Sequence, residues 1–326
     1  MYFNIHSGSC APAEPDLPSL ATVFSQPLSS NKIGATMNGY SARLQESRVQ
    51  EFHYRLPWRS PAVHPGYHKG VQSGPGQDFR AYEPLFRHPN ARRLDLRMSL
   101  RDPFGMPHVR VYNQRSTVPV YAVADLSGSM GSLGDKGKLQ LLAEFTAAAA
   151  LSAYRTGDPF GFIGCDTAVR RDLLLPAAHR AGAAWDLADR LSKLHMGAAG
   201  AEGLREASRY VSVRRSLVFL VSDFHLSFTL IDDVLASFSR HAVVPIVVWE
   251  SAEYRQLPAV GLAQARDRET GATRTLLFRP QLHERFQAVF AERRRDLTRV
   301  FIARGCAPFF LIDRFEANKV TEYFLQ

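Results

Sequence analysis

The sequence predicts an α/β protein: a doubly wound, mostly parallel sheet of the Rossmann type, preceded by a small N-terminal β-rich segment. Three observations carry this expectation. Short runs apolar at nearly every position recur at Val118–Ala124, Ser216–Ser222 and Val243–Trp249, and a strand reads this way when both of its faces are covered. Stretches with helical spacing separate the runs, so strand and helix alternate as in βαβ units. The region ahead of Val118 lacks that alternation and is dense in Arg, His, Pro and Gly.

Taken in order, residues 1–48 are rich in Ser, Pro, Gly, Ala and Asn without sustained periodicity. That composition reads as a mostly disordered arm. Residues 49–117 read as the β-rich segment, with strands near Leu94–Leu100 and Val109–Asn113. Residues 118–326 read as the α/β domain. Its first strand ends at Asp125, and a Gly/Ser-rich loop, Ser127–Gly137, follows. Lys138–Arg155 is expected as a helix because Leu139, Leu142, Phe145, Thr146 and Ala149 fall at helical spacing. Phe160–Cys165 and Val169–Leu175 read as strands, Ala183–Leu194 and Glu202–Val211 as helices. After the Ser216–Ser222 strand, Leu230–Arg240 reads as a helix. A hairpin insertion near 260–279, turning at Glu269–Ala272, follows the Val243–Trp249 strand. A long Arg-rich helix (Gln281–Arg304), a short strand (Pro308–Ile312) and a helix (Glu316–Phe324) complete the series.

Composition narrows the function classes. A chain of 326 residues allows about two domains and a full core. With 45% hydrophobic and 22% charged residues it is near the globular average, which excludes a largely disordered chain. The 40 Lys+Arg against 31 Asp+Glu give +9. Such a surplus suits an acidic protein partner, an anionic membrane surface or a nucleic acid. Basic residues cluster at Arg92, Arg93, Arg97, Arg101 and Arg110, and again at Arg293, Arg294, Arg295, Arg299 and Arg304. The second group reads as a solvated helix face paired with Glu292 and Asp296. Neither group has the aromatic interleaving of single-strand binders, so no nucleic acid is expected and an acidic partner surface is preferred. The three cysteines, Cys10, Cys165 and Cys306, form no C-x-x-C pair. That argues against a zinc knuckle or a disulfide framework and for a reducing compartment. The apolar runs fall far short of the roughly 20 residues that cross a bilayer. Met1–Ser9 shows no signal-peptide pattern. The expectation is a cytoplasmic protein with no membrane span.

In open α/β sheets, ligands bind beyond the carboxyl ends of the strands. Asp125-Leu-Ser127-Gly-Ser129 follows the first strand, and Asp223 follows the Ser216–Ser222 strand. One carboxylate and two hydroxyls on one loop can aim at a common point, which the second carboxylate closes. A donor set of oxygens alone suits Mg²⁺ or Mn²⁺ retaining several waters. An acidic side chain from a partner would fill an open coordination position.

Other readings compete. Ser129 would be a nucleophile in a hydrolase elbow, with Asp223 and His241 following in order, but Ser127 stands where G-x-S-x-G needs its first Gly. Gly131–Lys138 fails as a phosphate loop because Ser132 and Leu139 break the pattern. His195 and His225 either line the ion face or are partly exposed loop residues. His64 and His68 are separated by Pro65 and Gly66, which break any helix, and read as surface histidines.

The D-x-S-x-S pattern at Asp125, Ser127 and Ser129, with Asp223, resembles the metal-ion-dependent adhesion site of von Willebrand factor A (vWA) domains. Upstream, Gly70–Tyr82, Pro89–Asp95 and Ser99–Phe104 resemble the signature of the DUF58 group, in which G-x-G-x-E-F and R-x-I/L-D segments precede an A-type domain. The Arg101–Gly105 and Ala124–Ser127 wording resembles, more narrowly, the MxaS-like proteins of methanol-oxidation gene clusters. The resemblance implies a non-catalytic adaptor or chaperone-like protein acting beside a MoxR-type AAA+ ATPase. For the MxaS-like branch it implies metal insertion or assembly in maturation of the periplasmic methanol dehydrogenase system. It also implies Mg²⁺ (or Mn²⁺) at Asp125, Ser127, Ser129 and Asp223. The chain departs from the pattern in two places. Met196–Leu204 lacks the threonine that A-domains use as a ligand, with Glu202 as a water-mediated substitute, and Asp78 replaces the usual Glu. The missing hydroxyl leaves a metal-free interaction scaffold as the alternative.

Overall fold

The computed structural model describes residues 22–25, 49–60, 62, 64–131, 137–180, 182–194, 200–253, 261–267, 273–278 and 280–326. Its strands are β1 (Thr22–Ser25), β2 (Pro65–Pro84), β3 (His108–Ser116), β4 (Val120–Asp125), β5 (Phe160–Cys165), β6 (Val169–Ala178), β7 (Leu217–Ser222), β8 (Ala242–Trp249), β9 (Gly261–Asp267), β10 (Thr273–Phe278) and β11 (Phe309–Ile312). The helices are α1 (Leu96–Ser99), α2 (Gly137–Thr156), α3 (Ala183–Ser192), α4 (Gly203–Glu206), α5 (Phe228–Ser237), α6 (Pro280–Ala303) and α7 (Ala317–Leu325).

The main sheet has six strands in the order β11-β8-β7-β4-β5-β6. Five are parallel, and β6 returns antiparallel against β5. Every residue of β4, β5 and β7 is buried, which is why these strands are apolar up to Asp125 and Ser222 at the tips of β4 and β7. Side chains alternate between the two faces. Val120, Ala122 and Ala124 join Leu141, Leu142 and Phe145 of α2 in one core layer. Tyr121 and Val123 join Ile231 and Val234 of α5 and Leu297 and Phe301 of α6 in the other. The fold is thus mixed α/β with a mostly parallel central sheet.

A two-stranded antiparallel sheet, β2 with β3, forms the small N-terminal sheet. The segment just before it belongs to the main core: Phe52 stacks on Phe145 at 5.9 Å and meets Phe219 edge-on. At the amino ends of the main strands Asp158 ties three segments together. Its Oδ1 accepts from the Val118 amide at 2.8 Å. Its Oδ2 accepts from the Tyr54 hydroxyl and lies 2.6 Å from His68 Nε2. Burial first, then the Asp158 charge, raises the Tyr54 pKa well above its ordinary value. His68, expected at the surface, is therefore buried, whereas His64 is exposed.

Some local expectations change. Leu94–Leu100 is not a strand but contains the helical turn α1, because Asp95 caps it by accepting from the Met98 amide at 3.0 Å. The expected helix over Glu202–Val211 splits into α4 and a 3₁₀ turn, Ala207–Tyr210. Gly200 and Gly203 lie at its start, where glycine disfavours a regular helix. Within the arm expected to be disordered, Thr22–Ser25 forms β1 and pairs antiparallel with β9, making the expected hairpin three-stranded. The rest of that arm, and the turn expected at Glu269–Ala272, lie outside the described residues. Among the described residues no helix is long and apolar enough to cross a membrane.

Candidate functional site

Parallel pairing of β4 with β7 sets Ala124 opposite Val221, so the two strands end side by side. Asp125, Ser127, Ser129 and Asp223 consequently share one buried cluster at the carboxyl end of the sheet. Asp125 Oδ2 accepts from the Ser222 hydroxyl at 2.6 Å, and Oδ1 from the Ser127 amide at 2.9 Å. The turn after Asp125 brings Ser127 Oγ within 3.1 Å of Ser129 Oγ. Asp223 Oδ1 accepts from the His225 amide at 3.1 Å.

The sequence reading missed the group at the centre, Lys138. It leaves the first turn of α2 and is only 2% exposed. Its ammonium donates to Asp223 Oδ2 at 2.8 Å and to the Ser129 carbonyl at 3.1 Å, and it pairs with Glu253 Oε1. Glu253 stands on a 3₁₀ turn, Ser251–Glu253, just beyond β8.

The electrostatics follow from burial and these pairings. Burial, reinforced by the Asp223 charge, pushes Asp125 up to about 6 against the pull of its Ser222 and Ser127 hydrogen bonds. For Asp223 burial works upward, but Lys138 and then His225 outweigh it and hold the carboxyl well below its usual range. Burial acts to strip the proton from Lys138, yet Asp223 and Glu253 outweigh it and raise the pKa above the ordinary lysine value. Glu253 is lowered, Lys138 more than offsetting its burial.

This arrangement does not fit Mg²⁺ or Mn²⁺. Each carboxylate oxygen keeps a lone pair for a ligand, but a cation bound to Asp223 would lie against the Lys138 ammonium, which already donates to Oδ2. The stretch that lacks the threonine includes His195–Ala199, which lies outside the described residues.

The chain leaving β7 is held under strain. Phe224, directly after Asp223, has φ +52° although it carries a bulky side chain, a conformation that costs about 1–3 kcal/mol. Two clamps maintain it. Trp249 Nε1 donates to the Asp223 carbonyl at 2.8 Å, and Arg293 of α6 donates to the carbonyls of Phe224, at 2.7 Å, and Leu226. Arg293 therefore turns inward, away from the solvated face expected for it. Burial lowers its pKa to about 10 despite the nearby Asp223 and Asp296. His225 also lines the site: its ring stacks on Trp249 at 6.0 Å and steadies the negative charge of Glu253.

His241 is not part of the cluster. Its Nδ1 accepts from the Ser216 amide at the amino end of β7. The six residues of that strand put it roughly 20 Å from the Ser129 end, so the hydrolase triad is not assembled.

Comparison with known proteins agrees with the signatures in the chain. The uncharacterized protein Rv1480 of Mycobacterium tuberculosis is 27% identical over 254 residues, covering 74% of this chain and 75% of that protein. A protein encoded in the moxR 3′ region of Paracoccus denitrificans is 33% identical over 94 residues, 29% of this chain and 90% of that protein. Among solved structures, an aerotolerance-related membrane protein from Bacteroides fragilis aligns over 64% of this chain and 97% of its own at 13% identity, with a TM-score of 0.40. The family described as "Protein of unknown function DUF58" matches residues 79–296, about two thirds of the chain. The chain belongs to the DUF58 family.

Proposed function

We propose that this protein is a non-catalytic adaptor that works with a MoxR-type AAA+ ATPase and presents the strand-tip cluster as its docking face. The observation that carries the reading is the buried set of acids, hydroxyls and one ammonium at the ligand-binding end of the sheet. The Paracoccus relative in the moxR 3′ region supports the choice of partner, and the surplus of +9 suits an acidic protein surface. The client proposed is the methanol dehydrogenase system, on the likeness of Arg101–Gly105 and Ala124–Ser127 to MxaS-like proteins. A cytoplasmic location follows from the need of such an ATPase for ATP.

The sequence alone suggested a Mg²⁺ bridge to the partner; Lys138 favours the metal-free form of the same docking role. The test is co-purification with the MoxR-type ATPase of the same organism. The expected result is a complex that survives EDTA and is lost in Asp223→Ala. No complex with either protein rejects the proposal.

A further inference from the structure

We infer that the strand-tip cluster is a carboxylate receptor which the chain keeps plugged with its own Glu253. Lys138 takes the place of a bridging cation and Glu253 that of an incoming acid, and an acidic side chain of a partner protein docks by exchanging with Glu253. This deepens the docking role proposed above and depends on it for the partner's identity, not for the chemistry of the site.

The geometry of Lys138 points to the exchange. An ammonium has three donors, and here they have three partners. Two of these, Asp223 and the Ser129 carbonyl, belong to the strand tips themselves. The third, Glu253, comes from the short turn beyond β8. Withdrawal of Glu253 leaves Lys138 held by the other two with one donor unused, which is a binding position for a carboxylate.

Glu253 is also a poor fit for its place. Its side chain is 8% exposed, so it has left water. Only Oε1 pairs with the ammonium, and Oε2 is buried without a well-formed hydrogen bond. Both ring nitrogens of His225, beside it, are likewise buried without a well-formed hydrogen bond. Buried polar groups are nearly always satisfied. A pocket whose acid and imidazole meet only in poor geometry is one in which a better-seated acid gains hydrogen bonds that the plug makes badly.

Acetate titration of the whole protein, followed by thermal unfolding, tests the site without any partner. Glu253→Ala vacates the space of one carboxylate. Acetate is expected to raise the melting temperature of this variant saturably, chloride at equal ionic strength to leave it unchanged, and wild type to respond to neither. Loss of the acetate effect in Lys138→Met/Glu253→Ala assigns it to the ammonium. No acetate-specific rise in Glu253→Ala overturns the inference, whether or not the double variant folds. So does Mn²⁺ binding to wild type, seen by electron paramagnetic resonance and lost in Asp125→Ala.

A second arm uses the MoxR-type ATPase. Removing the plug is expected to tighten its binding about tenfold in Glu253→Ala, and weaker binding by that variant contradicts the exchange. If acetate rescues but no variant binds the ATPase, the receptor stands and the choice of partner fails.

Discussion

The two ends of the main sheet each bury a charged cluster, and they are built differently. At the amino end one carboxylate, Asp158, gathers a backbone amide, a tyrosine hydroxyl and a histidine from three segments. Each of its oxygens has a partner, and the effect is to fasten Tyr54 and His68 to the core. At the carboxyl end two acids, Asp223 and Glu253, pair with one ammonium, a strained phenylalanine sits alongside, and Glu253 Oε2 and the His225 nitrogens make no well-formed hydrogen bond. One burial strategy closes every polar bond for stability. The other leaves some unmade, at the end where sheets of this kind do chemistry or bind.

The contrast can be broken most forcefully at Lys138. Lys138→Met leaves Asp223 and Glu253 buried without a counter-charge, and it should cost about 3–5 kcal/mol in urea unfolding. An unchanged midpoint would show that the ammonium is not the hub of the upper cluster.

Acidity sharpens the comparison next. The Asp125 carboxyl holds its proton more tightly folded, near 6, than the ordinary 3.8. The stability this provides is present in full below the ordinary value and is lost as pH rises through about 6. Wild type should therefore lose up to about 3 kcal/mol relative to Asp125→Asn between these limits. Parallel stability curves for the two proteins across that range would contradict the assignment.

The smallest effect is expected at the other end. Asp158→Ala leaves the Val118 amide, Tyr54 and His68 without their acceptor and should cost about 2–3 kcal/mol. It should leave acetate binding by Glu253→Ala unaltered when the two changes are combined. Coupling between the ends would break the comparison itself.

The sheet was legible in the sequence because fully buried parallel strands cannot hide: β4, β7 and β8 are apolar at nearly every position. Asp125, Ser127, Ser129 and Asp223 were legible because a short motif and a strand tip fix their places. Lys138 had a readable signal that is easily passed over. It precedes Leu141, Leu142 and Phe145 by three, four and seven residues, which puts a lysine on the buried face of α2. Glu253 and Arg293 had none, since each reaches the cluster from a distant element and looks like an ordinary surface charge. Asp95 could have been read as a cap, with Ser99 donating back to its carbonyl, but the nearby Leu94 and Leu96 suggest a strand instead.

The order of strands in the main sheet has a consequence for synthesis. Of its six members the central one, β4, leaves the ribosome first, and the edge strand β11 leaves last, more than 180 residues later. Until then β8 offers a bare row of amides and carbonyls along a wholly apolar strand, a template for joining another nascent chain. Slow translation between β8 and β11 would lengthen that exposure, and a chaperone that shields β8 during it would raise the yield of folded protein.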